Sequence, residues 1–295
     1  MLSREVLRKI RRIEITTRSM VRETFAGRYE SVFRGRGMEF VEVREYQPGD
    51  DIRTIDWNVT ARTGSLHVKK FIEERELTVL IVFDASGSFD FGARRRIKRE
   101  LAAEVGAVLA FSASRNNDRV GLLVFTDQVE NFVPPRKGSR HILRIIREIL
   151  EFKPRNKGTN ISQALEHAMR LVRRHSVMFV ISDFRDSGYE SALTIANRKH
   201  DVVAITISDP VELEIEPLGL IEVEDGETGK RLILDFRNRE SASRFARLNQ
   251  KMLEERNAIF ERARVDHIDL KTDSDYVQPL IRFFQERRRR MRWHY

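Results

Sequence analysis

The segment Asp84-Ala85-Ser86-Gly87-Ser88 places a carboxylate and two hydroxyls at alternate positions. It follows the apolar run Leu77–Phe83, whose β-branched and aromatic residues are typical of a strand that is buried on both faces. Carboxylate and hydroxyl oxygens are hard ligands, which small divalent cations prefer. Because such residues also form ordinary turns and helix caps, the segment predicts a cation site only together with further ligands.

Two such ligands come later in the chain. Thr159 lies in the sequence Lys-Gly-Thr-Asn, and Asp183 follows a second apolar run, Val177–Ile181. Ligands of open α/β sheets bind beyond the carboxyl ends of the strands, so we expect these residues to approach Asp84 there. Two carboxylates would neutralise the ion, and a sixth coordination position would be open to an acidic side chain of a partner. The predicted ligands of Mg²⁺ or Mn²⁺ are Asp84, Ser86, Ser88, Thr159 and Asp183.

The sequence lacks the patterns that would indicate an enzyme. It has no GxxxxGK[ST] phosphate loop and no Gly-x-Ser-x-Gly elbow, and its seven histidines are scattered without metal-ligand spacing. A metal-dependent hydrolase needs a general base aimed at a bound water, and no base is evident beyond the ligands themselves. We therefore expect no enzymatic activity and keep a metal-dependent hydrolase as an alternative function.

A second charged segment, Glu45–Arg62, precedes the first apolar run and contains a Pro-Gly turn. It could form a docking surface in which Trp57 is the anchor. It could equally be a structural loop with internal salt bridges and a packed Trp57, and the sequence does not decide between the two. The candidate partner-binding residues are Asp50, Asp51, Arg53, Asp56, Trp57 and Arg62.

These residues carry a resemblance. The five oxygen ligands are similar to the metal-ion-dependent adhesion site of von Willebrand factor A domains. The stretch Arg44–Asn58 (REYQPGDDIRTIDWN), continuing to Arg62, resembles the signature of the bacterial and archaeal domain-of-unknown-function family 58. The resemblance covers nearly the whole chain and implies a metal-binding A-type domain. Many members of that family carry membrane-spanning helices near the N-terminus, whereas this sequence has no apolar run of the ~20 residues that a span needs.

The resemblance also implies a function, because such proteins are typically encoded beside MoxR-type AAA+ ATPases. We expect a metal-dependent protein–protein interaction module, an adaptor or partner of a MoxR-type ATPase in protein maturation or complex assembly. The partner would contribute an acidic residue to the metal.

The elements that must position these residues follow from the alternation of strand and helix patterns after Leu77. This alternation predicts an α/β fold with a mostly parallel sheet flanked by helices. We expect a von Willebrand A-like, Rossmann-type domain over residues 76–295, with an edge hairpin near 218–236. Residues 1–75 are predicted to form an accessory segment with a helix over 2–23 and short strands at 39–44 and 66–72. Asp186 is expected to cap the helix predicted over 189–199.

The formal charge of the 295-residue chain is +9 and is unevenly spread. Arg287–Arg290 and Arg292 add five positive charges near the C-terminus, as in proteins that bind nucleic acid or acidic membranes. We favour a solvated helix end, whose cations complement the helix dipole, and keep a nucleic-acid-binding module as an alternative function. The absence of cysteine and of a signal-peptide apolar centre predicts a cytoplasmic protein.

Overall fold

Two compact units make up the computed structural model. The described residues are 4–33, 38–73, 76–93, 96–214, 219–224, 226, 229–237 and 239–292. The first unit spans residues 1–32 and 78–295, and the second spans residues 33–77. The boundary therefore differs from the predicted one, because the N-terminal helices group with the sheet and not with the accessory strands.

A six-stranded sheet forms the centre of the first unit. Its strands are β3 (Thr78–Asp84), β4 (Arg119–Phe125), β5 (Val129–Arg136), β6 (Val177–Ser182), β7 (Asp201–Ser208) and β10 (Asp266–Lys271). Their order across the sheet is β10-β7-β6-β3-β4-β5. Five strands are parallel, and β5 pairs antiparallel with β4 at one edge. The predicted fold class, α/β with a mostly parallel sheet flanked by helices, is confirmed.

Helices cover both faces of this sheet. The helices of this unit are α1 (Arg4–Met20), α2 (Ala26–Val32), α4 (Lys98–Arg115), α5 (Ser139–Glu151), α6 (Ile161–Leu171), α7 (Glu190–Lys199), α8 (Pro210–Leu213), α9 (Arg239–Ala263) and α10 (Val277–Arg292). On β3, Leu80 and Val82 join the core beneath α6, α7 and α9, whereas Ile81 points to the opposite face, beneath α4. This two-sided burial explains why the strand is apolar throughout its length.

The N-terminal helix predicted over residues 2–23 is one of these packed elements. A π-helical turn, Val21–Phe25, joins α1 to α2, so the helical stretch runs to Val32. Its apolar residues Ile13, Val21 and Phe25 are buried, and α1 packs against α4 and α5. The apolar face of this amphipathic helix is therefore part of the core of the first unit. No helix among the described residues combines the length and the apolar character needed to cross a membrane.

A separate antiparallel hairpin consists of β8 (Gly219–Glu224) and β9 (Arg231–Phe236). It corresponds to the hairpin predicted near 218–236, but it is not an edge of the six-stranded sheet, whose edges are β10 and β5. Residues 225, 227 and 228 of the predicted turn, and residue 218, lie outside the described residues.

The second unit contains an antiparallel pair, β1 (Met38–Glu45) and β2 (His67–Glu73), close to the two predicted strands. Between them lie a 3-10 turn, Ile52–Thr54, and one short helix, α3 (Trp57–Thr63), which the sequence reading did not predict. With seven residues, α3 is too short to show a helical period. It ends at Gly64, which takes the left-handed conformation at φ 77°.

The arginine-rich C-terminus differs from the prediction of a wholly solvated helix end. Arg287 is 8% exposed, and its guanidinium pairs with Asp201 at the start of β7 and with Asp266 at the start of β10 (2.9 Å). Arg290 also contacts Asp266, at 2.7 Å. The prediction is wrong for Arg287, which joins α10 to two neighbouring strands. The side chain of Arg292 lies outside the described residues.

We expect Arg287→Met to lower the free energy of unfolding by about 2 kcal/mol, because it removes the counter-ion of Asp201, whereas Asp266 keeps its pair with Arg290. Arg289→Met, on the exposed side of the same helix, should change it by less than about 0.5 kcal/mol. Urea denaturation followed by circular dichroism measures both values. Equal effects of the two substitutions would contradict the anchoring role of Arg287.

Candidate functional site

The predicted acidic ligands meet at the carboxyl edge of the sheet. Asp84 is the last residue of β3, and Asp183 follows Ser182, the last residue of the neighbouring strand β6. The hydroxyl of Ser182 donates to Asp84 Oδ2 at 2.6 Å and so ties the two strand ends together. The parallel pairing of β3 and β6 is therefore what brings together two carboxylates that are far apart in the sequence.

The loop that carries Thr159 is fixed to the same edge by backbone hydrogen bonds. The amide of Gly87 donates to the carbonyl of Lys157 at 2.9 Å. The amide of Asn160 donates to the carbonyl of Thr126, just beyond β4, at the same distance. Half-buried Thr159 thus lies in a loop that is held beside the Asp84 loop.

The Asp84 carboxylate is fully buried and accepts hydrogen bonds from Ser182 and Ser86. Besides the bond from Ser182, Oδ1 accepts from the amide of Ser86 at 2.9 Å. Burial, and then the negative charge of Asp183, raise the pKa of Asp84 to about 7, although both serines oppose the shift. A cation near Asp84 would be favoured electrostatically, because it would offset both the burial of this carboxylate and the negative charge of Asp183.

Two hydroxyls complete this part of the site. Ser86 Oγ and Ser88 Oγ lie 3.2 Å apart, and the Ser88 hydroxyl also hydrogen-bonds the carboxylate of Asp183. Four of the five predicted ligands are therefore connected through hydrogen bonds, while Thr159 is joined to them through its loop. In the described part of the chain, no three His, Asp or Glu side chains cluster as metal ligands, and this set combines two carboxylates with three hydroxyls.

The sequence reading missed one charged residue of the site. Lys98, the first residue of α4, is fully buried, and its ammonium lies 3.1 Å from Asp183 Oδ2 and 2.6 Å from Glu212 Oε1. Burial alone would raise the pKa of Asp183, but Lys98 and the Ser88 hydroxyl hold it below its usual range. The site therefore contains an internal cation and a third carboxylate, Glu212 of α8.

No sequence signal identifies this lysine as a buried residue. Lys98 stands in the run Arg-Arg-Arg-Ile-Lys-Arg of residues 94–99, which is typical of a solvated surface. Its partner Asp183 lies 85 residues away. A buried lysine is identified only when the fold places its carboxylates around it.

Asp186 is a helix cap, but of a different helix from the predicted one. Its Oδ2 accepts from the amide of Ile161 at 2.8 Å, so it satisfies the N-terminus of α6. The helix that follows in sequence, α7, begins after Tyr189 without a side-chain cap. Asp186 thereby ties the loop after β6 to the helix that begins directly after the Thr159 loop.

A cleft with a volume of about 450 Å³ opens beside Asp183. One wall comes from the loop after β6, and the other comes from α9 with Met252, Leu253 and Ile259. Thr206 of β7 lines the cleft, and its buried hydroxyl has no hydrogen-bond partner among the described residues. The cleft offers an extended ligand both apolar and polar contacts within reach of the carboxylate edge.

In the second unit, the acidic residues predicted to bind a partner form internal structural contacts. Asp50 makes a bidentate pair with Arg44 at 2.7 and 2.8 Å, and this pair lowers the pKa of Asp50. Asp51 caps the 3-10 turn, and Asp56 caps α3 and pairs with Lys69 at 3.6 Å. These carboxylates hold the segment in shape.

The other predicted partner-binding residues face solvent. Trp57 is 65% exposed, so it is not a packed core residue, and Arg53 and Arg62 are exposed as well. Ile52 (69%) and Leu66 (45%) add exposed apolar surface to the same unit. The structure thus combines the two predicted readings, with carboxylates that are structural and a tryptophan that is available for contact.

Solved structures similar to this chain include conserved hypothetical protein BatB from Bacteroides thetaiotaomicron. It has a TM-score of 0.46 and 17% identity, and the match covers 72% of this chain and 99% of that one. The VWA domain of SpRpn10 matches with a TM-score of 0.40 and 10% identity, over 70% of this chain and 94% of that domain.

Among protein sequences, this chain is 30% identical to the uncharacterized protein Rv1480 of Mycobacterium tuberculosis. That match extends over 285 residues, which are 95% of this chain and 89% of the relative. The uncharacterized protein YeaD of Bacillus subtilis is 28% identical over 107 residues, 36% of this chain and 25% of YeaD. The family model described as "Protein of unknown function DUF58" matches residues 42–255. This chain therefore belongs to the DUF58 family.

Proposed function

We propose that this chain is a metal-dependent protein–protein recognition module that holds Mg²⁺ or Mn²⁺ at the carboxyl edge of its sheet. One observation carries the proposal: Asp84 and Asp183 stand at neighbouring strand ends and share a network of serine hydroxyls. Such hard oxygen donors suit these ions. The ligands would be Asp84, Ser86, Ser88, Thr159 and Asp183.

The charges of the site fit a dication. Asp84, Asp183 and Glu212 contribute three negative charges when ionised, and Lys98 contributes one positive charge, which leaves a charge of −2. With Lys98 paired to Glu212, the two remaining carboxylates match the ion's charge. The raised pKa of Asp84 supports this fit, because burial and then the charge of Asp183 disfavour the ionised carboxylate, and a bound dication would offset both.

Recognition would use the coordination position that the protein leaves open. When bound, the metal supplies a site for a carboxylate from a partner, and the cleft beside Asp183 provides room for the flanking residues of that partner. The exposed Trp57 would add a second contact surface. As the family resemblance implies, the partner would be a MoxR-type AAA+ ATPase or its client, in protein maturation or complex assembly.

The two alternative functions have less support. A nucleic-acid-binding module would use the C-terminal arginines, yet Arg287 and Arg290 are paired with Asp201 and Asp266. For a hydrolase, the base nearest the carboxylates would be Lys98, whose ammonium is held by two acidic groups. We therefore retain recognition as the function that the geometry supports best.

Metal binding is tested first with Mn²⁺ and paramagnetic titration. We expect weak binding to the isolated protein, because the sixth position then holds only water. Loss of a residue that only supports a metal ligand lowers metal affinity roughly 10- to 100-fold. Asp84→Asn should lower the Mn²⁺ affinity by more than this, because it alters a ligand itself. Asp273→Asn is the matched control, because Asp273 is an exposed carboxylate just beyond β10 at the same sheet edge. Identical titrations of the wild type and both variants would mean that the site is a capping network.

The internal cation yields a second prediction. Lys98→Met removes the counter-ion of Asp183 and Glu212, so the variant should unfold at a lower temperature without metal. Mn²⁺ should then raise its melting temperature more than that of the wild type, because the ion replaces the missing charge. Lys9→Met is the control, since Lys9 pairs with Glu100 in a more exposed position. An equal metal-induced shift in all three proteins would contradict the charge balance proposed above.

Partner binding yields a third prediction, measured as the affinity for a MoxR-type ATPase from the same organism. Asp183→Asn should weaken the complex by about 2–5 kcal/mol, and Thr159→Ala by less, because it removes a neutral ligand. EDTA should reproduce the effect of Asp183→Asn, and circular dichroism controls for folding. A folded Asp183→Asn variant that binds as tightly as the wild type, in EDTA as well, would rule out a metal bridge and direct attention to the surface around Trp57.

A further inference from the structure

The β8–β9 hairpin touches the Asp84 loop through glycine backbones. A Cβ atom built on Gly87 would meet the carbonyl of Gly226 in the hairpin turn, 2.6 Å from its carbon atom. A Cβ atom built on Gly226 would lie 3.0 Å from the carbonyl carbon of Gly87 and 3.2 Å from the amide nitrogen of Ser88. The two backbones are therefore so close that neither position has room for a side chain.

The close approach explains why residue 87 is glycine. Gly87 opens the 3-10 turn Gly87–Asp90, and its φ does not lie in the left-handed region. Its backbone conformation would therefore accept an alanine. What excludes a side chain is the hairpin turn above it, at the position between the two candidate ligands Ser86 and Ser88.

The hairpin is attached to the rest of the unit at its C-terminal end. There, Phe236 is 3% exposed and packs edge-to-face on Phe245 of α9, with ring centroids 5.6 Å apart. Elsewhere in β9, Leu232 and Ile233 are 59% and 72% exposed, so much of the surface of this strand is uncovered.

We propose that this hairpin is a cap that covers the Asp84–Ser88 loop and must move before a metal ion, and then a partner carboxylate, can enter the site. The proposal rests on the metal-dependent recognition described above. Displacing the cap is inexpensive, because the hairpin is a two-stranded sheet of its own and shares no ladder with the six-stranded sheet. An isolated two-stranded hairpin is marginally stable and held by its packing.

The cap would lower the affinity of the site in proportion to the time it is closed. A site that is accessible in about one molecule in ten binds about tenfold more weakly than a site that is always open. Substitutions that dislodge the hairpin should therefore strengthen metal binding, whereas substitutions of ligands weaken it. The direction of the change in metal affinity therefore distinguishes residues of a cap from residues that bind the metal.

The test uses two substitutions outside the ligand set. Gly226→Val forces the turn away from Gly87, and Phe236→Ala weakens the attachment to α9. Ile233→Ala, at a strongly exposed position of the same hairpin, is the control. Amide hydrogen exchange of residues 84–89 is measured without metal, and Mn²⁺ affinity is measured by water-proton relaxation.

In both cap variants we expect faster exchange of residues 84–89 and an Mn²⁺ affinity raised up to about tenfold, with the control unchanged. If residues 84–89 exchange at the wild-type rate in both variants, the hairpin does not cover this loop and the proposal is wrong. If exchange is faster but the Mn²⁺ affinity is unaltered, the hairpin covers the loop without limiting access to the metal site, which contradicts the proposal. If no protein, the wild type included, binds Mn²⁺, the proposed metal function fails, while the exchange data still decide whether the hairpin covers the loop.

Discussion

The repulsion between two buried carboxylates is the constraint around which the carboxyl edge of this sheet is organised. Asp84 has no exposed surface, and Asp183 follows the end of the neighbouring strand. The fold tolerates this pair because Ser182 and Ser86 donate to Asp84, and Lys98 offsets the charge of Asp183. A buried carboxylate without such partners would protonate or destabilise the fold. The serine-rich loop, the first residue of α4 and the acidic residue of α8 are thus parts of one electrostatic arrangement.

Much of this edge was predictable, because strand ends have a local sequence signal. An apolar, β-branched run followed by Asp identifies both Asp84 and Asp183, and adjacency of parallel strands then places them together. Lys98 was not predictable, because its role depends on groups that come to it only through tertiary packing. The packing of α1 against the first unit was not predicted for the same reason, since an amphipathic pattern indicates that one face is buried but not which elements cover it.

The second unit shows a different limit of sequence reading. Its dense charges fitted a recognition surface and a structural loop equally well, and in the structure Asp51 and Asp56 cap short helical turns while Asp50 is held by Arg44. Capping of this kind satisfies backbone amides that would otherwise lack partners. The exposed Trp57, in contrast, has no evident role in holding the folded structure of this segment. Residue type alone could not separate these roles, because a capping aspartate and a docking aspartate look the same in sequence.

The register of the short β1–β2 pair has a consequence for modularity. Met38 is paired with Glu73, so the chain enters and leaves this pair at adjacent backbone positions. Antiparallel neighbours of this kind are about 5 Å apart, a gap that a few residues bridge. The second unit therefore has the geometry of an inserted module, which could be excised or exchanged without altering the order of the strands that carry the acidic edge.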